Sequence, residues 1–146
     1  MTIKVSFRGE AELRRALSKM GAEAKRELKK VVDGTGLELR GDIVKAYNQG
    51  PATGTVYQKY KPRRTHRASS PGETPKTDTG RLASSVTFAS DIARLSATVS
   101  SKLPYAAWLE YGTMKIAKRP AWVPAVTKIT GKFNRKVEAA IRKSMP

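Results

Sequence analysis

Apolar and polar residues alternate at the start of the chain. Ile3, Val5 and Phe7 are interleaved with Thr2, Lys4, Ser6 and Arg8, a half-buried strand by period, and Gly9 ends it. A signal peptide would need a longer apolar run. The period then changes. Leu13, Leu17, Met20, Ala24, Leu28, Val31, Thr35, Leu39, Ile43 and Tyr47 recur at steps of three or four, one stripe along an amphipathic helix. Glu10 and Glu12 fall in its first turn, where negative charge suits the helix dipole. Gly34, Gly36 and Gly41 each weaken a helix by ~1 kcal/mol relative to Ala, so a bend or break is expected near Gly34.

Residues 49–79 read as one long extended loop, rich in Gly and Pro and expected to order only in an assembly. Asp78 or Thr79 is a candidate cap for a short helical turn through Leu82. Residues 84–90 and 94–101 alternate again, with a turn near Asp91, and predict a hairpin. Leu103-Pro104 is expected to open a third strand. Beyond Pro124, Val126, Ile129, Phe133, Val137, Ile141 and Met145 mark a second amphipathic helix, with Lys128, Lys132, Arg135, Lys136, Arg142 and Lys143 on its other face.

One stretch, PYAAWLEYGTMKIAKRPAWVPA from Pro104 to Ala125, concentrates aromatics and prolines. Tyr105, Trp108 and Tyr111 fall at spacing three, Glu110 lies among them, and Gly112-Thr113 turns the chain. Arg119, Pro120 and Trp122 follow a short basic link. Prolines fix φ and aromatics carry large areas to bury, so the segment is expected to pack as one unit of strand, turn and helix start, with both Trp108 and Trp122 buried. A carboxylate in such a setting needs a partner, and Arg119 or Arg81 is expected to pair with Glu110. A general base in an aromatic pocket is the functional reading of the same residue.

YAAWLEYGT followed closely by ARPAWVPA resembles the head–tail joining, or tail-completion, proteins of long-tailed double-stranded DNA phages. The resemblance extends upstream to SSPGETPKTDTGRLASSV, with Thr79, Gly80, Arg81 and Leu82 at its centre. Family members more often place a bulky aromatic directly after the Pro, where this chain has Ala121-Trp122. The resemblance implies a structural virion protein of the neck, assembled in the host cytoplasm. It implies a ring homo-oligomer, a hexamer or dodecamer, between connector or stopper proteins and tail-terminator proteins, with non-specific contact to genomic DNA in the lumen.

Charge sharpens this picture. The 146 residues hold 29 Lys and Arg against 12 Asp and Glu, a formal net charge of +17. Such an excess speaks to partners rather than fold, and favours an anionic one. The segment 113–146 holds 9 bases and 1 acid, whereas 81–112 holds 3 and 2. Within the predicted loop, Tyr57 and Tyr60 are interleaved with Lys59, Lys61, Arg63, Arg64 and Arg67. Bases with aromatics can grip phosphates and stack on nucleobases. Pro62 and the two tyrosines give the segment shape as well as charge, which points to ordered contact with a neighbouring protein.

Catalytic groups are scarce. There is no cysteine, and His66 is the single histidine, so zinc sites of the usual kind are excluded. No phosphate-binding glycine loop ends in Lys-Ser or Lys-Thr, and Ser84-Ser85 lacks an evident base. No run approaches the roughly 20 apolar residues of a membrane span. The expectation is a non-enzymatic α+β protein without cofactor, metal or membrane contact. It is one domain over 1–146, with a small, mostly antiparallel sheet of about four strands and both long helices packed on one face. The alternative is a non-specific DNA-binding protein.

Overall fold

The computed structural model describes Arg15, Ser18, Lys19, residues 21–91 and residues 93–144. The predicted strand at Ile3 to Phe7 and the helical positions Leu13, Leu17 and Met20 lie outside the described residues.

Helix α1 spans Ala22–Gln49 and buries Ala24, Leu28, Thr35, Gly36, Leu39, Ile43 and Tyr47 on one face, as the stripe predicts. It runs through Gly34 without interruption, contrary to the expected break. A Cβ at Gly34 or Gly41 would meet nothing within 4 Å, so neither glycine serves a contact there. Packing on neighbouring elements outweighs their poor propensity. Gly36 differs. A Cβ there would lie 2.6 Å from Cε2 of Phe88 and 2.9 Å from Cβ of Ala97, so its bare backbone is what lets the hairpin carrying Phe88 and Ala97 approach.

That hairpin pairs β3, Val86–Asp91, with β4, Ser96–Ser101, from Val86↔Ser101 to Asp91↔Ser96. Val86 and Val99 face the core, with Phe88 packed against it. Arg40 of α1 donates from Nε to the Val86 carbonyl at 3.0 Å. Helix α4, Trp122–Ser144, packs along α1. Lys128 meets Asp42 and Lys143 meets Glu27, so the two helices run antiparallel.

The main core gathers Leu39, Ile43, Tyr47, Leu82, Val86, Val99, Trp122 and Ile129 with small alanines between. A second cluster near the other end joins Leu28 to Ala140, with Val137 and Ile141 packed on it.

Two expectations are corrected. The expected loop holds an antiparallel hairpin, β1 at Val56–Tyr60 and β2 at Arg63–Arg67, joined by a cis Lys61-Pro62 bond. Both its faces are polar, so no apolar period revealed it. The four strands therefore form two separate two-stranded sheets. The expected third strand is instead helix α3, Pro104–Tyr111, with Pro104 in its first turn. The aromatic spacing of three is a helical face, with Ala106, Ala107 and Glu110 turned inward.

Candidate functional site: a latched basic hairpin and an aromatic helix

The two sequence motifs meet in space. Thr79 and Leu82 from the first, and Tyr105, Leu109 and Arg119 from the second, line a cavity of about 280 Å³ together with Ser69, Lys76 and Asp78. Gly80 precedes the short helix α2, Arg81–Ser84, with φ 78°, a left-handed conformation that favours glycine. It turns Leu82 into the core at 6% exposure while Arg81 stays exposed. Neither Asp78 nor Thr79 caps that turn.

Asp78 has another task. It reaches the hairpin β1–β2, bonding Lys59 Nζ, with Arg64 Nη2 at 3.2 Å and His66 Nδ1 at 3.5 Å from its other oxygen. Burial, then the nearby Lys59, Arg64 and Lys76 cations, push the His66 pKa below its ordinary value of 6.5. The imidazole is therefore neutral at pH 7, and its approach to Asp78 is not an ion pair at that pH. The other partners of the latch are true cations. Glu73 steadies the hairpin's foot, accepting from Ser70 N at 2.8 Å and Thr53 Oγ1 at 2.5 Å.

Cross-strand register sorts the candidate contact residues. Tyr57 pairs with His66 and Lys59 with Arg64, so these four share the latched face. Gln58 with Thr65, and Tyr60 with Arg63, belong to the opposite face together with Val56 and Arg67. That face is exposed throughout, as is Lys61 at the tip. Among the described residues, Lys61, Arg63 and Arg67 have no acid within ion-pair distance.

The aromatic segment folds around Glu110, which is 4% exposed. Its Oε2 accepts from Ala121 N at 2.8 Å and Trp122 N at 3.0 Å, and its Oε1 from Val123 N at 2.7 Å. Pro124 has no N–H to satisfy, and Ala125 N bonds the Ala121 carbonyl at 3.4 Å. The donors opening α4 are thus all accounted for by one carboxylate and one proline. The expected pairing of Glu110 with Arg119 or Arg81 is not what forms. Arg119 instead donates from N to the Leu109 carbonyl at 2.6 Å and from Nε to the Ser69 carbonyl at 3.3 Å. Gly112, with φ 78°, and the Thr113 hydroxyl, which accepts from Ile116 N at 3.0 Å, turn the chain between the two helices. Thr74 Oγ1 bonds the Pro120 carbonyl at 3.4 Å.

The two tryptophans part company. Trp122 is 1% exposed and donates from Nε1 to the hydroxyl of Tyr47 at 2.8 Å. Trp108 is 48% exposed, Tyr111 62%, and Met114 projects fully into solvent. Sequence reasoning missed Tyr47, which the helical stripe marks only as apolar, and missed Asp78 and Glu73 as anchors of the hairpin. Among the described residues no group of His, Asp and Glu could hold a metal ion, and no helix is long and apolar enough to cross a membrane.

The chain belongs to the HK97-gp10-like family. That family's model, described as "Bacteriophage HK97-gp10, putative tail-component", matches residues 11–112. The match covers α1, both hairpins, the Thr79–Leu82 motif and α3, and ends before Arg119, Pro120 and Trp122. Membership places the protein among phage tail components, and so in the virion. No curated protein and no solved structure matched the chain.

Proposed function

We propose that this protein is a non-enzymatic structural component of the phage neck, assembled as a closed ring between connector and tail and required for tail completion or head–tail joining. Family membership supports a tail role. The observation that carries the ring is the ridge of exposed Trp108 and Tyr111, three residues apart on α3, with fully exposed Met114 just past the end of the helix. Rings close through heterologous contacts between copies of one chain. Every acid among the described residues except Glu23 and Glu138 already has a partner within its own chain. Copies with a formal charge of +17 each offer one another little free negative charge among the described residues, which favours a contact that rests on apolar area. The ridge supplies it, with large aromatic side chains of the kind enriched at interfaces.

Electron microscopy of assembled particles tests the reading. The expected result is a closed ring on the neck axis, with the ridge covered by a neighbouring copy. A single off-axis copy, or particles lacking the protein, overturns it. Virions carrying Trp108→Ser and Tyr111→Ser together are expected to yield unjoined heads and tails from a folded protein, and full infectivity counts against the ridge. A free-standing DNA-binding protein is the second reading, favoured by the charge alone. It predicts the protein on DNA and absent from the neck.

A further inference from the structure

We propose that the outer face and tip of hairpin β1–β2, built from Arg63 and Arg67 with Tyr60, Gln58 and Thr65 and from Lys61 at the tip, is a binding surface for the sugar–phosphate backbone of duplex DNA. It is a distinct site from the aromatic ridge and stands independently of the neck reading.

The hairpin is two-sided in charge as well as in geometry. On its inner face Asp78 pairs with both Lys59 and Arg64, offsetting one of the two charges, and so fixes the ribbon to the body of the protein. Its outer face and tip keep three cations with no acid within ion-pair distance among the described residues, and Tyr60 is 76% exposed. Three like charges on so small a ribbon repel one another unless an anion lies opposite. A second copy of this chain is a poor source of it, because among the described residues every acid except Glu23 and Glu138 is engaged at home.

The anion therefore belongs to another molecule, and the side chains say which kind. Apart from Val56 and the tip's Pro62, every residue of this face and tip ends in a hydrogen-bond donor: guanidinium, ammonium, amide, hydroxyl or phenol. That is the set that contacts phosphate oxygens in protein–DNA complexes. A protein interface would want an apolar centre within a polar rim, whereas the central cross-strand pair of this face, Gln58 with Thr65, is polar and its exposed Val56 and Tyr60 lie at the two ends. Arg63 and Arg67 are four residues apart on one strand, roughly 13 Å, so the face spans several phosphates of a duplex. A two-stranded ribbon is also a shape that the DNA major groove admits. The sequence-level expectation that shape implies a protein partner is thus revised. The shape is that of a ribbon held from behind, and its outward surface is mostly donors.

Fluorescence anisotropy of the purified full chain with two duplexes of unrelated sequence tests the site. Both duplexes are expected to bind equally, with affinity falling steeply as salt rises. Each phosphate contact contributes about 0.9 to the slope of log K against log salt, so replacing Lys61, Arg63 and Arg67 by Ser should lower that slope by about 2.7. Replacing Lys25, Arg26 and Lys45 by Gln removes the same charge from exposed positions of α1 and should leave the slope nearly unchanged. R63K with R67K, which keeps the charge, should retain most of it. Equal losses from the hairpin and α1 variants overturn the proposal, because the charge then acts without a site. Salt-independent or absent duplex binding overturns it too. Hairpin-dependent binding to polyglutamate tighter than to duplex overturns it in favour of an acidic protein. Circular dichroism confirms that each variant remains folded. None of these outcomes bears on whether a ring stands in the neck, which the particles decide.

Discussion

The indole N–H of Trp122 points at the phenol oxygen of Tyr47 across 2.8 Å, and both rings are shut away from water at 1% exposure. This single contact ties the last turn of α1 to the first turn of α4. The same first turn is held from the other side by Glu110, so the helix that closes the core is fixed at its start by one side-chain donor and three backbone donors.

Tyr47→Phe removes only the oxygen. It leaves a buried indole N–H without an acceptor, at a cost of about 1–3 kcal/mol. The pH dependence carries a second signature. Burial, eased in part by the Trp122 bond, pushes the Tyr47 pKa from 10.0 up to about 12. A pKa raised on folding gives a contribution that is whole below the unfolded value and lost as pH climbs through the folded one. Wild-type stability should therefore fall between about pH 10 and 12, and the Phe variant should lack that component. Urea unfolding at a series of alkaline pH values measures both effects.

Trp122→Ala and Trp108→Ala should differ sharply, although the sequence gives the two residues the same standing. Loss of the fully buried indole costs about 3–5 kcal/mol. Trp108 lies half in solvent, so its loss should leave the melting temperature much closer to wild type. Equal destabilisation would mean that the α3 ridge belongs to the core and not to a contact surface.

The difference between the tryptophans shows where sequence reading stops. Period alone revealed α1, α4 and β3–β4, since each has one apolar face. It failed at β1–β2, whose strands alternate between two polar faces, one satisfied by Asp78 and one by solvent. It misread α3 as a strand because eight residues give barely two turns, too few for a helical period to stand out. The motif residues were legible as a set, and the cavity that joins Thr79 and Leu82 to Tyr105 and Arg119 accounts for their grouping. Their partners were not. Glu110 is satisfied by backbone N–H groups, which no side-chain pairing rule can find, and Tyr47 lies 75 residues from Trp122 in the chain.

Glu38 makes the acid limb of stability testable. Lys136 and Lys132 bond its two oxygens at 2.8 and 2.9 Å and hold its pKa down from 4.5 to about 2. A pKa lowered on folding gives a contribution present above the unfolded value and lost as pH falls through the folded one. The difference in melting temperature between wild type and Glu38→Gln should shrink between pH 4.5 and about 2. It should also shrink with added salt at neutral pH, because these side chains are partly exposed and screening reaches them. A difference that ignores both pH and salt would show that the α1–α4 pairs do not contribute.

The glycines of α1 separate propensity from packing within one helix. At Gly34 and Gly41 an added Cβ meets nothing within 4 Å, and both positions face solvent. Gly34→Ala and Gly41→Ala should each stabilise by ~1 kcal/mol, the ordinary helical preference for Ala over Gly. At Gly36 the same change places a methyl group 2.6 Å from the Phe88 ring and 2.9 Å from Cβ of Ala97. The Phe88 ring is only partly buried and has some room to turn, but the Ala97 Cβ moves only with its strand. Relief therefore requires β4 to shift away from α1, opening the contact that seats Val99 in the core. Overpacking of this kind costs about 1–3 kcal/mol, more than the gain in propensity, so Gly36→Ala should destabilise. Chemical denaturation of the three single variants gives the signs directly, and a stabilising Gly36→Ala would mean that the hairpin stands farther from the helix than 2.6 Å implies.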